Sequence, residues 1–251
     1  MEKKLKKISK KVNYYLNSYL SKFNSSNLIV PMKYGLFPGG KKIRSKIIFD
    51  VGKIFNVKKK NLLILAASVE AIHAYSLIHD DLPCMDNDIM RRGKPTTHKK
   101  YGEATAVLAG NSLLTLAFEI ISTEKNLLTF KQKIEIIKLL SNCAGHTGIA
   151  GGQELDLKFE NKRKKLSQIN DMQKKKTGKL FNFCFQSVAI IAKKTKKEKL
   201  KFGKIGEEVG LLFQLADDFL DIKGSKKLVG KPIKKDKKKG KSTLIKIMGF
   251  K

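Results

Sequence analysis

Apolar residues return at three- and four-residue steps along almost the whole chain, the spacing that lines one face of an α-helix. Leu62, Leu63, Leu65, Ala66, Val69 and Ile72 form one such series. Ile134, Ile136, Ile137, Leu139 and Leu140 form a second, and Val209, Leu212, Phe213, Leu215 and Ala216 a third. Long alternating runs rich in Val and Thr, which would predict strands, are missing. The pattern predicts an all-α fold, a single domain over residues 1–251 with about eight to ten helices. Breaks are expected at Phe37-Pro38-Gly39-Gly40, Pro83, Gly93-Lys94-Pro95, Gly151-Gly152 and Gly230-Lys231-Pro232. The stretch 223–241, rich in Lys and Gly, reads as a loop, and the chain ends soon after it at Lys251.

A chain of 251 residues that is 41% hydrophobic can bury one sizeable core. The most apolar run, Ala104–Ile121, is interrupted by Asn111 and Glu119, so no membrane span is predicted. The basic N-terminus MEKKLKKISKK leads into polar residues rather than an apolar stretch, which argues against a signal peptide and for a cytoplasmic protein. Cys84, Cys143 and Cys184 are odd in number and lack paired spacing, as expected of ordinary reduced thiols.

Charge changes the picture more. Lys+Arg is 53 against Asp+Glu 22, a net +31. Such a balance raises nucleic acid as a partner. The excess is nearly all Lys and is spread along the chain; Trp is absent and aromatics are 8%, so stacking platforms are lacking and no nucleic-acid partner is expected. Only four arginines occur: Arg44, Arg91, Arg92 and Arg163. Guanidinium grips phosphate bidentately where ammonium does not. Three of the four fall beside the chemistry-bearing motifs below.

Two aspartate clusters stand out, Asp80-Asp81-Leu82-Pro83-Cys84-Met85-Asp86 and Asp217-Asp218-Phe219-Leu220-Asp221, each after an apolar helical run. At about 100° per residue, Asp217, Asp218 and Asp221 share one helix face. Asp86 would fall opposite Asp80, but Pro83 should end the helix near Asp81 or Leu82 and let a short loop swing Asp86 back. Carboxylates gathered this way call for a cation, and oxygen ligands with room for water and phosphate suit Mg²⁺.

Cationic residues surround both clusters. Arg91 and Arg92 follow Asp86 and Asp88 closely enough to grip a diphosphate. Lys41 and Arg44 share a face at a predicted helix start, after Gly39-Gly40, whose backbone can approach an anion. His73 lies two turns before Asp80; His79 and His98 are also near the motif, and a lone histidine is otherwise usually a core or surface residue. Lys176-Thr177-Gly178, Gln214, Lys231 and Lys241 complete the set.

Taken together, GGKKIR, DDLPCMD, RRGKPT, GGQELDL, KTG, FQLADDFLD and GKST resemble the trans-prenyl diphosphate synthase family in content and order, from about Lys33 onward. The resemblance implies an isoprenoid synthase fold, a helical bundle around a central substrate cavity, shortened here at the C-terminus. It implies a homodimer acting on small-molecule isoprenoid diphosphates, and head-to-tail condensation of isopentenyl diphosphate with dimethylallyl and geranyl diphosphate to give farnesyl diphosphate. It further implies three Mg²⁺ ions held by Asp80, Asp81, Asp86 and Asp217, with Asp218 and Asp221 supporting. Arg91, Lys176, Thr177, Gln214 and Lys231 would hold the allylic diphosphate; Lys41, Arg44, His73 and Arg92 would hold isopentenyl diphosphate. Tyr75, roughly 7–8 Å down the helix from Asp80, would be the floor that limits chain length, with small Ser76 beside it. Ser45 departs from the family's proline at the end of the first basic motif, and Asn87 and Ile89 thin an acidic run. A geranylgeranyl synthase, an inactive substrate-binding subunit and a basic nucleic-acid-binding protein are the competing readings.

Overall fold

The computed structural model describes residues 2–123 and 127–223, with side chains described through residue 220. The chain forms α1 (Glu2–Leu20), α2 (Ile29–Leu36), α3 (Ile43–Ile54) and α4 (Lys59–Asp80). A two-stranded hairpin follows, β1 (Met90–Arg91) and β2 (Lys94–Pro95), then α5 (Thr97–Tyr101), α6 (Glu103–Thr123), α7 (Phe130–Ala144) and α8 (Ile149–Phe159). The last elements are α9 (Leu166–Gln173), a π-helical turn (Lys174–Gly178), α10 (Lys179–Ile191) and α11 (Lys196–Lys223). Eleven α-helices among the described residues slightly exceed the expected range because short pieces such as the five-residue α5 carry too little periodicity to be counted from sequence. The hairpin, with Arg91 opposite Lys94, was not foreseen; strands of two residues leave no alternating pattern.

Local chemistry sets the helix limits. Pro83 follows the end of α4, as expected. Thr129 and Gln132 form a reciprocal capping box at the start of α7: the Gln132 amide donates to Thr129 Oγ1 at 3.2 Å and the Thr129 amide to Gln132 Oε1 at 3.0 Å. One expected break is corrected. Gly151 and Gly152 do not interrupt the chain but lie in the first turn of α8. The glycine at 152 serves packing rather than a turn, because a Cβ there would collide with the Lys176 backbone. The expected loop at 223–241, with the break at Gly230-Lys231-Pro232, lies outside the described residues apart from Lys223, the last residue of α11.

Helix α4 is the spine of the fold. It packs against α6, α3, α10, α2 and α1, and Ile64, Leu65, Ala66, Ala67, Val69, Ala71 and Ile72 are fully buried along it. Burial of each large aliphatic chain contributes about 1.5–3 kcal/mol, so the carboxyl end of α4 is held on a rigid scaffold. Among the described residues α4 and α6 are the two helices long and apolar enough to cross a membrane; 72% of the apolar window of α4 is buried inside the protein, which makes it a core helix. A second, small apolar cluster joins Phe159, Ile169 and Met172 with Leu155 and Leu215, beneath the π turn.

Candidate active site

A cavity of about 830 Å³ opens between the start of α3, the carboxyl half of α4, the hairpin, the π turn and α11. Asp80 reaches it from α4 and Asp217 from α11. After Asp80 the chain folds tightly back. The Asp86 amide donates to the Asp80 carbonyl at 2.8 Å, and the Asp88 amide to the Asp81 carbonyl at 3.1 Å. Asp86 therefore returns beside the first pair, as the proline predicted. Asn87 takes a left-handed backbone, φ 50°, to make the turn.

Asp81 is not on the cavity wall. Its buried carboxylate is gripped by Arg91, with Nε 3.0 and 2.8 Å from the two oxygens and Nη2 2.6 Å from Oδ1. Asp88, also buried, lies 3.9 Å from Arg91 Nη2. Burial alone would lower the Arg91 pKa, but the hydrogen bond and charge of Asp81 outweigh it and raise it.

The wall facing α3 is cationic. Lys41 lines it from an exposed position. Lys42, which the sequence reading passed over, is the more buried of the two; its Nζ lies 3.5 Å from Glu70 Oε2. Arg44 lies deep in the wall, its guanidinium 5.1 Å from the centre of the Phe181 ring, and burial lowers its pKa. Arg92 donates to the Gly39 carbonyl. Gly40 has φ 114°, a backbone that favours glycine, and a side chain there would push the Arg92 guanidinium from its place. Burial, then the charges of Arg44, Arg92, Arg91 and Lys42, hold the His73 pKa well below its ordinary 6.5. A neutral imidazole therefore faces the cavity at neutral pH. His79 instead turns toward α6, with Nε2 3.1 Å from the Val107 carbonyl, and His98 is buried in α5. Of the three histidines near the motif, only His73 lines the cavity.

The opposite wall is a polar relay. Thr177 Oγ1 donates to Gln214 Oε1 at 2.9 Å, and Gln214 Nε2 donates to Asp218 Oδ1 at 2.8 Å. Gln173 Nε2 approaches Asp218 Oδ2 at 3.4 Å. Asp218 is buried and acts through Gln214 rather than from the wall. Lys176 Nζ donates to Asp156 Oδ2 at 2.6 Å, and Asp156 is itself buried. Asp156 and Gln173 were not singled out in the sequence, although Asp156 belongs to the GGQELDL motif. Glu70 was also missed; its signal was an acidic residue inside the apolar helical run Leu62–Ile72.

Ser76 lines the cavity and Tyr75 does not. The Tyr75 ring packs edge-on against His79, centroids 5.1 Å apart, on the other side of α4. Lys231 and Lys241, and the side chain of Asp221, lie outside the described residues.

Among the described residues no three His, Cys, Asp or Glu side chains close on a single metal position. The donor set still fits Mg²⁺, which keeps several waters and is commonly held by one or two carboxylates plus substrate phosphates. Two oxygen donors on separate helices, facing a cavity wide enough for phosphate, meet that demand.

Comparison with known proteins points the same way. The polyprenyl synthetase family profile matches residues 25–251. The farnesyl diphosphate synthase of Haemophilus influenzae is 39% identical over 98% of this chain and 84% of its own. The apo structure of an FPP/GFPP synthase from Zymomonas mobilis superposes with a TM-score of 0.84 at 34% identity, covering all of this chain and 87% of that one. A geranyltransferase from Helicobacter pylori, solved with magnesium and isoprenyl diphosphate, gives a TM-score of 0.77 at 31% identity over 93% of this chain and 81% of the other.

Proposed function

This chain belongs to the polyprenyl synthetase family, and we propose that it condenses isopentenyl diphosphate with dimethylallyl and then geranyl diphosphate to give farnesyl diphosphate. The observation that carries this reading is the cavity into which Asp80 and Asp217 both project from different helices, between the cationic wall at α3 and the polar wall of the π turn and α11.

In this reading Asp80 and Asp217 hold the metal from the cavity wall; the family resemblance adds Asp86 and Asp81, with three ions in all, although here the Asp81 carboxylate is turned into the Arg91 grip. Mg²⁺, when bound, supplies positive charge that stabilises the departing diphosphate. Lys176, Thr177, Gln214 and Arg91 bind the allylic diphosphate, joined by Lys231. Asp156 and the Thr177–Gln214–Asp218 relay fix the rotamers of that wall, so the grip costs little reorganisation. Lys41, Arg44, Arg92 and neutral His73 hold the diphosphate of isopentenyl diphosphate. Lys42 is well placed to join them. No nucleophilic side chain is required, because the double bond of isopentenyl diphosphate attacks the allylic cation and released diphosphate takes the proton. The family resemblance supports a homodimer, which light scattering would test, and a cytoplasmic location.

Farnesyl is the product of several relatives by name. A twenty-carbon product is the second reading, favoured by the absence of the Tyr75 ring from the cavity wall. Chromatography of products formed from dimethylallyl and isopentenyl diphosphates with Mg²⁺ separates the two. No prenyl product of any length would refute both.

A further inference from the structure

Glu70 is the odd residue of α4. It is 4% exposed, between fully buried Val69 and Ala71. An ionised carboxylate there costs several kcal/mol unless paired and hydrogen-bonded. Its hydrogen-bond and ion-pair partners Ser45 and Lys42 lie at the beginning of α3. Ser45 Oγ donates to Glu70 Oε1 at 2.7 Å, the Ser45 backbone N–H approaches the same oxygen at 3.3 Å, and Lys42 Nζ lies 3.5 Å from Oε2. The side chains of Lys42 and Glu70 are 8% and 5% exposed, so this pair is shielded from solvent.

The location matters. Lys42 is the residue that precedes α3, and it adopts a left-handed backbone, φ 46°, with no side-chain cap of its own. Ser45 is the third residue of the helix, whose N–H has no intrahelical acceptor. Glu70 therefore does from a neighbouring helix what a capping side chain does locally, and it also braces a backbone conformation that is unfavourable for lysine. Arg44 lies between the two clamped residues. Its Nε is buried without a hydrogen-bond partner, so its aim is set by the turn beneath it and by the Phe181 face.

We propose that Glu70 is a positioning residue for the second diphosphate site: from α4 it clamps the first turn of α3 and so aims Lys42 and Arg44 into the cavity. Naming that diphosphate as isopentenyl diphosphate rests on the proposed condensation; the binding of an anion by these cations does not.

The test compares Glu70→Ala, Glu70→Gln and Ser45→Ala with the unmodified enzyme. Glu70→Ala should raise KM for isopentenyl diphosphate on the order of tenfold, with kcat and the allylic KM within about twofold. Glu70→Gln, which keeps an acceptor for Ser45 but loses the charge opposite Lys42, should show a smaller rise in the same direction. Ser45→Ala should resemble Glu70→Gln. A residue that merely stabilised the fold would lower the melting temperature without separating the two KM values. Binding of inorganic diphosphate in chelator, followed calorimetrically, supplies a readout free of turnover, since without metal Asp80 and Asp217 repel anions from their side of the cavity. It should weaken in the same order. Unchanged affinity and KM in Glu70→Ala, or equal rises in both KM values, would overturn the proposal. If Glu70→Ala does not fold, the other two variants decide by the same split. If the unmodified enzyme makes no prenyl product, the functional reading fails and the calorimetric series alone judges Glu70.

Discussion

Replacing Arg91 with methionine tests the first aspartate cluster most directly. The substitution keeps much of the buried stem and removes the guanidinium. Asp81, with a side chain 3% exposed, then loses three charge-assisted hydrogen bonds. Removing one partner of a buried pair costs about 3–5 kcal/mol, because the other charge stays buried. The reverse substitution, Asp81→Asn, should cost less. The Arg91 side chain is 28% exposed and has Asp88 at 3.9 Å, so its charge can turn toward water or toward a second carboxylate. About 1–2 kcal/mol is expected there. In a domain of this size 1 kcal/mol moves Tm by about 2–4 °C. Arg91→Met should therefore melt roughly 6–20 °C lower and Asp81→Asn roughly 2–8 °C lower. Urea midpoints at unchanged m-value and differential scanning calorimetry at neutral pH measure both. Equal losses in the two variants, or a loss below about 1 kcal/mol for Arg91→Met, would refute the argument from unequal burial.

Other consequences follow from the same geometry. Asp80→Ala and Asp217→Ala should each lower kcat/KM by at least 10³-fold, about 4 kcal/mol, with melting temperatures nearly unchanged; near-normal turnover in either variant, or full activity in excess chelator, contradicts their role. Because the Tyr75 ring lies off the cavity wall and against His79, Tyr75→Ala is expected to leave the product length unaltered in product chromatography; a shift beyond fifteen carbons would restore Tyr75 as the floor. Burial pushes the Cys143 thiol up to about 12 and raises that of Cys184 further. Both should remain protonated and inert at pH 8, so a thiol reagent should titrate only exposed Cys84 in the native protein and all three thiols in denaturant. Because the folded-state His73 pKa is depressed, the unfolded chain takes up that proton first, and stability should fall as pH drops through about 6.5; His73→Gln should flatten this dependence in a pH series of urea midpoints.

The helices and both aspartate clusters were readable because each leaves a one-dimensional trace: a 3.6-residue period, or acids following an apolar run. Pro83 even gave the sense of the turn that brings Asp86 back. Asp81 and Asp80 look alike in sequence, yet one is held under Arg91 and the other faces the cavity; only the path of the hairpin separates them. Lys41 and Lys42 could not be ranked either, since the choice depends on a left-handed backbone at Lys42 and on an acid twenty-eight residues away. Gly152 looked like punctuation because the element that needs it to be small, the turn at Lys176, is remote in sequence; Gly151 is small for a local reason, the His146 carbonyl packed against it. Tyr75 was assigned by depth along α4, and depth says nothing about which way a ring points.

The π turn at Lys174–Gly178 joins α9 and α10 end to end. A π turn is in effect one extra residue accommodated without breaking a helix, and so it acts as a phase shifter. Before it, Ile169 and Met172 face the small apolar cluster with Phe159; after it, Leu180, Phe183, Cys184 and Val188 face the main core. One continuous rod thus serves two hydrophobic surfaces that a helix of uniform pitch would have to serve with a single stripe. Lys176 and Thr177 sit at the join, where backbone geometry is least regular. Drawing Lys174–Gly178 into uniform α pitch with no residue lost would rotate everything downstream by about one residue's 100° and separate Thr177 from Gln214. Deleting one lysine would instead remove the surplus residue and keep the downstream phase.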